Sequence, residues 1–286
     1  MSYIKVRFRN AIKTLMGNKK FFAGLTMLVL ISFVGYSAYI FQIPFPKFGS
    51  VPPFRKPSRQ FLLGTDGLGR DLFAVLLYSI QTSLYIGFTA GIIGTAIGIL
   101  VGFVGGYKGG LTDHVLRSIT DIFLVIPLWP LLILISASVR SLSIPVMASL
   151  LAAFSWQGSA RAIRSQVMSL KEREFVNIAR LSGLGTFEIL FKEILPNMIP
   201  YVASGFVMSV TGAILTEAAL EIIGLGPPGA TSIGLMLYWS QQFAATVKGW
   251  WWWLVPPIIV LILIFIALFL ILLGLDEISN PRLRKA

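Results

Sequence analysis

Residues 83–107 read SLYIGFTAGIIGTAIGILVGFVGGY, with no charged side chain in the run. A bilayer core about 30 Å thick needs roughly 20 helical residues to cross it, so this stretch is read as a transmembrane helix. Within it Gly94, Gly98, Gly102 and Gly106 recur every four residues, and Gly87 and Gly91 form a second such pair. Positions four apart share one helix face, so a groove without side chains runs along this helix. A second helix can approach closely there and gain packing contacts where lipid offers no hydrophobic drive. That helix could belong to this chain or to another subunit, and spacing alone leaves both readings open.

Outward from this run lie five more: Phe21 to Ile43, Ile122 to Val139, Ile144 to Ala160, Met198 to Gly224 and Trp250 to Leu275. The run from Ile144 is the weakest, being short and interrupted by Ser155, Trp156 and Gln157. The expectation is an all-α membrane protein with six transmembrane helices. Composition agrees. Hydrophobic residues make up 56% and charged residues 13%, with a mean hydropathy of +0.80, whereas a soluble domain is about a quarter charged. With no cysteine in the chain, disulfide scaffolds, cysteine-type zinc sites and thiol chemistry are excluded. The net charge of +12 would suggest nucleic acid in a soluble protein. Here the basic residues sit between apolar runs, and no soluble domain is left to carry such a face, so no nucleic acid partner is expected.

Lys and Arg also set the orientation. With six spans and a cytosolic N-terminus, 17 of these residues fall in cytosolic segments and 7 in external ones, which predicts a multi-pass cell-membrane protein with both termini cytosolic. Residues 1–20 space Ile4, Phe8, Ile12 and Leu15 at helical intervals, with Lys5, Arg9 and Lys13 elsewhere on the wheel. That pattern predicts an amphipathic helix on the cytosolic leaflet. The apolar run that follows is longer than the 7–15 residues of a signal peptide core, so 21–43 is read as the first span. An external segment, 44–82, opens with Pro44, Pro46, Pro52, Pro53 and Pro57. LGTDGLGRD follows, with the charges Asp66, Arg70 and Asp71. The core domain then runs over 83–275, with a cytosolic loop at 161–197 and a cytosolic tail at 276–286.

Three groups of residues carry candidate chemistry. In GGYKGGLTDHVLRSITDIF, residues 105–123, Asp113, Arg117 and Asp121 fall four apart on one helix face. They either stabilise that helix locally or form a charge latch at the cytosolic mouth. His114 is the only histidine and has no second ligand-type neighbour except Asp113, so no metal site is expected. Glu217 and Glu221 share a face near the external end of the fifth span. Burial of each in hydrocarbon costs at least about 2.5–3.5 kcal/mol, so they face a polar cavity, a partner or the exit, are protonated, or are hydrated at the outer interface. Trp250 to Trp253 suit an interfacial aromatic belt.

The longest cytosolic loop is also the most polar stretch. In it Phe175, Ile178, Ala179 and Leu181 make a short apolar face, and Gly183 and Gly185 end that helix. A second helix through Phe187, Leu190, Phe191 and Ile194 is expected to stop at Pro196. A short amphipathic helix between two spans suits insertion into a groove on a soluble partner.

At this point the chain resembles a known family. RLSG at 180–183 followed by LP at 195–196 is similar to the coupling loop of ABC importer permeases. LGTDGLGRDLF at 63–73, EREFVNIAR at 172–180, ILPN at 194–197, GLG at 224–226 and LLGLDEISNPRLR at 272–284 resemble one branch, the C-type permease subunit of dipeptide, oligopeptide and nickel importers. The family's Glu-Ala-Ala is replaced by Asn177, Ile178 and Ala179, with Glu172 and Glu174 as nearby acidic residues. Where the branch more often has Ser, this chain has Glu221.

The resemblance implies a type I ABC importer permease fold and a division of labour. This chain would form half of a translocation pathway and catalyse no reaction. A second homologous permease, two ATP-binding subunits holding ATP and Mg, and an extracytoplasmic binding protein would complete the transporter, embedded in membrane lipid. The loop residues Glu172, Glu174, Phe175, Asn177, Ala179, Arg180, Gly183 and Pro196 would contact the ATPases. Glu217 would attract a peptide amine. The chain carries no G-x-x-x-x-G-K-[ST] phosphate loop, as that division requires. Di- or oligopeptides are the implied cargo, with oligosaccharides or nickel as alternatives; a passive channel and an intramembrane enzyme are more distant rivals.

Overall fold

The computed structural model describes residues 17–139 and 142–279, which form helices and connecting loops with one isolated antiparallel bridge between Thr65 and Asp71. Most of the expected N-terminal amphipathic helix and of the C-terminal tail lies outside these residues. In chain order the elements are α1 Lys19–Ile40, α2 Leu72–Lys108, α3 Gly110–Val125, α4 Leu128–Ser138, α5 Ile144–Ala153, α6 Trp156–Leu170 and α7 Glu174–Leu181. A single turn, α8 Thr186–Glu188, then leads through a wide π-helical segment, Ile189–Ile194, into α9 Leu195–Ile222, α10 Ile233–Gln242 and α11 Trp251–Ser279.

Among the described residues four continuous helices are long and apolar enough to cross a bilayer: 19–40, 72–108, 186–222 and 251–278. The pair α3–α4, bent by 77° at Pro127, makes a fifth if counted as one span. The expected six are therefore not all found among the described residues: the fourth, Ile144 to Ala160, is instead two short helices, α5 and α6, which are not among the four or five. The third breaks because Pro127 cannot donate to the helix and pushes Ile126 into extended backbone, with ψ at 125°. The fourth breaks at Phe154–Ser155, between α5 and α6. There Ser155 Oγ donates to the carbonyls of Ala90 and Ala152, both at 3.1 Å, and the Trp156 indole donates to Ala153 O at 3.0 Å. Side chains thus satisfy backbone groups that lipid could not.

Two boundaries also move. The helix that carries the second span starts at Leu72, ahead of Ser83, and at 1.5 Å per residue α2 is about 55 Å long, longer than the roughly 30 Å of a bilayer core. Asp71 sets that start, since its Oδ1 accepts from Phe73 N at 2.9 Å and caps the helix. Nor does the chain stop at Pro196, which sits in the first turn of α9. Proline has no N–H to donate, and it follows the wide π segment, whose last bond runs from Leu195 N to Leu190 O. Around it Asn197 Nδ2 donates to Glu193 O at 2.6 Å.

The glycine groove of α2 is filled from within the chain. A Cβ at Gly102 would stand 2.8 Å from Ala160 O, and one at Gly106 would stand 2.9 Å from Arg164 O. At Gly98 it would stand 2.8 Å from Ser159 Cβ, and Gly94 abuts Ser155. All four neighbours belong to the start or body of α6, so the row serves internal packing. Gly87 and Gly91 meet Ile214 and Val210 of α9 in the same manner. At the other flank α1 packs on α11, and its start is tied down by Asn18 Nδ2 donating to Glu277 Oε2 at 2.8 Å and by Lys20 paired with Glu277 at 2.5 Å. The tryptophan cluster is only partly an interfacial belt. Trp251 is exposed, whereas Trp252 and Trp253 are buried in the main core.

Gly102→Val should lower stability in detergent by about 1–3 kcal/mol, the usual range for overpacking. Gly212→Val, where nothing lies within 4 Å of an added Cβ, should change it far less. Thermal unfolding of both purified variants decides.

Candidate functional site

One end of the bundle carries a helical knob. The face of α7 with Val176 and Ala179 is buried with Ile189, Leu190, Ile194 and Met198 against Phe103, Ile163 and Val167. Ala179 therefore belongs to the core, Phe175 is half-buried, and Leu190 and Ile194 of the expected second helix are buried too. The apolar residues left outside are Ile178, Leu181, Phe187 and Phe191, with Leu181 89% and Phe187 76% exposed. The sequence pattern missed this split because a helix of eight residues shows both faces as apolar. Glu172, Glu174, Asn177, Arg180 and Gly183 are exposed around the knob, and Pro196 is half-buried at its base.

Gly183 ends α7 in a left-handed conformation, φ +80°. Its N–H donates to Arg180 O at 3.0 Å and that of Leu184 to Ala179 O at 3.1 Å. This double bond pattern closes the helix and needs a residue that adopts positive φ without strain. Arg180 lies over the Tyr107 ring, 5.5 Å from its centroid, holding the knob to the end of α2.

Above the knob, α3 and α6 are joined by ion pairs. Arg164 donates to both carboxylate oxygens of Asp113, from Nε and Nη2, each at 2.5 Å. Asp121 accepts from Arg161 Nη2 at 2.5 Å and stands 3.5 Å from Arg117 Nε. The expected single-face trio is therefore only part of a network between helices. Arg161 and Arg164 were not singled out from the sequence, although their spacing of three on the helix after a weak span was a legible signal.

Glu217 and Glu221 are fully buried at the far end of α9. Glu217 Oε1 accepts from Ser83 Oγ at 3.0 Å, and Glu221 Oε2 accepts from Ser232 Oγ at 2.5 Å. Ser83 Oγ in turn accepts from Ile233 N at 3.2 Å, and Ser232 Oγ from Leu235 N at 3.2 Å. The pair thus ties α2 and α9 to the start of α10, where the helix dipole favours acidic groups. Neither glutamate is hydrated at an outer interface.

A cavity of about 390 Å³ opens between α4, α6 and α9. Its polar wall is Ser155, Ser159, Ser209 and Thr216, its floor includes Gly158, Gly205 and Gly212, and Leu132, Phe154 and Met208 supply apolar surface. Thr216 and Ala213 reach it rather than Glu217 or Glu221. Among the described residues no charged side chain lines it, and the sequence pattern points to none of its residues as a pathway; Ser155 stands out there only as an interruption of a weak span. A second cavity of the same size lies beside the ion pairs, lined by Arg117, Asp121, Arg161 and Arg164. Among the described residues no three of His, Asp and Glu gather as a metal site.

At the opposite end from the knob, Asp66 and Arg70 form a buried ion pair. Asp66 Oδ2 accepts from Arg70 Nε at 2.7 Å, and Oδ1 accepts from Leu68 N and Arg70 N at 2.9 and 2.8 Å. Arg70 also lies over Phe48, 5.2 Å from the ring centroid. Asp71, the cap of α2, has its carboxyl pushed up from the ordinary value by burial, against the lowering effect of the Phe73 and Ala74 N–H groups. The LGTDGLGRD motif is therefore a structural knot rather than an exposed charge cluster.

A bundle of membrane-crossing helices, with a cavity between them and a helical knob at one end, defines a multi-pass membrane protein of permease architecture. The chain belongs to the family described as "Binding-protein-dependent transport system inner membrane component", which matches residues 94–285. It is 32% identical over 183 residues to the oligopeptide transport system permease protein OppC of Mycobacterium bovis, a match that spans 63% of each chain and so less than two thirds of that relative's length. OppC of Bacillus subtilis is 30% identical over 223 residues, covering 77% of this chain and 72% of its own. A Brucella abortus relative is 31% identical over 274 residues, covering 95% and 91%. Among solved structures, the MetNI methionine ABC transporter in inward-facing conformations matches 72% of this chain and 95% of its own, with a TM-score of 0.57 and 20% identity. That likeness establishes the type I permease fold.

Asp66→Ala would leave the Arg70 guanidinium buried and unpaired, and is expected to destabilise the protein by about 3–5 kcal/mol. Asp71→Ala removes one helix cap and should lose only about 1 kcal/mol. Thermal unfolding in one detergent, read side by side, checks that order.

Proposed function

We propose that the chain is the permease subunit of an ATP-driven importer of di- or oligopeptides, lining half of the pathway while ATP is hydrolysed by partner subunits. The observation that carries this reading is the knob. Its inner face is locked into the bundle by Val176, Ala179 and Ile194, and its outer face leaves Leu181 and Phe187 in water. Large apolar side chains held rigidly in solvent are a docking surface for a partner groove. The peptide class is supported by the OppC relatives.

The geometry also supplies a route for motion. Closure of two ATPase subunits would displace α7. Its buried face shares a core with α2, α6 and the π segment, so the displacement would reach α6 and α9, the walls of the 390 Å³ cavity. A second homologous permease would face that cavity, and its mouth would alternate between the two sides. The salt bridges between α3 and α6 join the same moving parts, and they act in this scheme as a latch on the cytosolic side. The cavity's hydroxyls suit peptide backbone groups and its lack of charge suits varied side chains. The knob end would be cytosolic, with both termini on that side.

Leu181→Asp combined with Phe187→Asp should cut uptake into proteoliposomes, and ATP hydrolysis stimulated by the binding protein, by at least about tenfold in the assembled transporter. A cysteine placed at Leu181, in a chain that has none, should cross-link to an ATPase subunit. Cross-links found only to lipid or to this same chain would refute the proposal. For the latch, a double-mutant cycle on Asp113→Ala and Arg164→Ala should give a coupling of about 1 kcal/mol, larger than the cycle for the more exposed Asp121 and Arg161.

A further inference from the structure

Glu217 and Glu221 stand one turn apart on α9, each 0% exposed, inside a helix long and apolar enough to cross the membrane. Ser83 Oγ donates to Glu217 Oε1 and Ser232 Oγ donates to Glu221 Oε2. The other two oxygens, Glu217 Oε2 and Glu221 Oε1, are buried without a hydrogen-bond partner, although the two carboxyl groups lie within hydrogen-bonding reach of each other. An ionised carboxylate only accepts. Two of them side by side repel and cannot bond to one another unless a cation or a proton stands between.

Among the described residues no cation is at hand. Helix α9 packs against α2, α5, α6, α10, α11 and the π segment. The titratable groups closest along those elements to Ser83 and Ser232 are tyrosines: Tyr78 and Tyr85 on α2 and Tyr238 on α10, while α5 has none. Tyr78 donates to Ile43 O at 2.8 Å. The charged residues of these elements are engaged elsewhere. Asp71 and Lys108 stand at the two ends of α2, and Arg161 and Arg164 pair with α3. Lys192 pairs with Glu188, Glu277 with Lys20, and Asp276 accepts from Ser204; Glu193 lies on the π segment. Ser204 precedes Glu217 by more than three helical turns of α9, about 20 Å.

Nor is there room for a metal ion. A Cβ at Gly234 would stand 2.6 Å from Glu221 Oε2, and one at Gly226 would stand 2.9 Å from Glu221 Cγ. Each serine oxygen already accepts from a backbone N–H of α10 and turns its only proton toward a carboxyl group, so it would present hydrogen rather than a lone pair to a cation.

We infer that Glu217 and Glu221 form a proton-binding site, one carboxyl group donating to the other at neutral pH, and that this proton keeps the start of α10 seated on α2 and α9. Both orphaned oxygens then have a place in a bond, and the two hydroxyls and the N-terminus of α10 support one negative charge instead of two. Thr216, beside Glu217, lines the cavity between α4, α6 and α9, so the same joint steadies that wall. Unfolded carboxyls ionise at about pH 4.3, so above that the folded chain holds one proton more than the unfolded chain. Stability is therefore lost as pH rises, by up to about tenfold in the folding equilibrium constant per pH unit, until the pair itself has ionised.

The test uses the full chain in detergent. Infrared spectra at neutral pH should contain the carbonyl band of a protonated carboxylic acid. Incorporating the heavy carbon isotope at glutamate carboxyls should shift that band, which separates it from the half-buried Asp71 without any variant. Glu217→Gln combined with Glu221→Gln should remove it. The melting temperature of the wild type should fall between about pH 6 and 9 more steeply than that of the double variant. Glu221→Gln alone, whose amide can donate to Glu217 as the proton does, should keep its stability at neutral pH and flatten the pH dependence. If the double variant does not fold, the labelled wild type and the single variant still decide. Absence of a glutamate acid band at neutral pH overturns the inference, as does a band that survives the double substitution. Melting that follows sodium or potassium concentration at fixed pH and ionic strength overturns it too, because the pair would then hold a metal cation.

Discussion

Backbone contact between α2 and α6 is the interaction on which the remaining architecture depends. In lipid there is no hydrophobic gain from pressing two helices together, so association rests on dispersion and on satisfied polar groups. The row Gly94, Gly98, Gly102 and Gly106 brings the carbonyls of Ala160 and Arg164 to within 2.8 and 2.9 Å of where a Cβ would stand. Because α6 carries Gln157, Arg161 and Arg164, it could not lie against lipid by itself. Seated in the groove, it presents Ser155, Ser159 and Gly158 to the cavity on one side and Arg161 and Arg164 to α3 on another. The cavity lining and the ion-pair network are both consequences of how closely α6 can sit.

The apolar runs made most of the fold legible, because length and lack of charge are read one residue at a time. Breaks within the runs were less visible. Pro127 marks its own kink, whereas the break at Ser155 depends on Ala90 offering a carbonyl from another helix, a partner that sequence spacing does not disclose. The same limit explains the candidate site. Glu217 and Glu221 stood out as charges in a span, but the hydroxyls that hold them, Ser83 and Ser232, lie 134 and 11 positions away. The cavity was illegible for a related reason. Its lining is Ser, Gly, Thr and Leu, residues common in any membrane helix, and only their convergence from three helices sets them apart. By contrast the knob was legible in outline from Gly183 and the amphipathic pattern, and its correction concerns which face is outermost.

The placement of charge separates two kinds of work. Charged groups inside the fold, Asp66 with Arg70 and Asp113 with Arg164, are paired and serve as joints. The glutamates are held by hydroxyls at the start of a helix. The cavity wall, where a solute with variable side chains would pass, has neither acid nor base. A fixed charge there would bind one class of peptide tightly and repel another by several kcal/mol at low effective dielectric, whereas hydroxyls and glycines can meet a peptide backbone common to all. Selection is then better made before the solute reaches the bilayer.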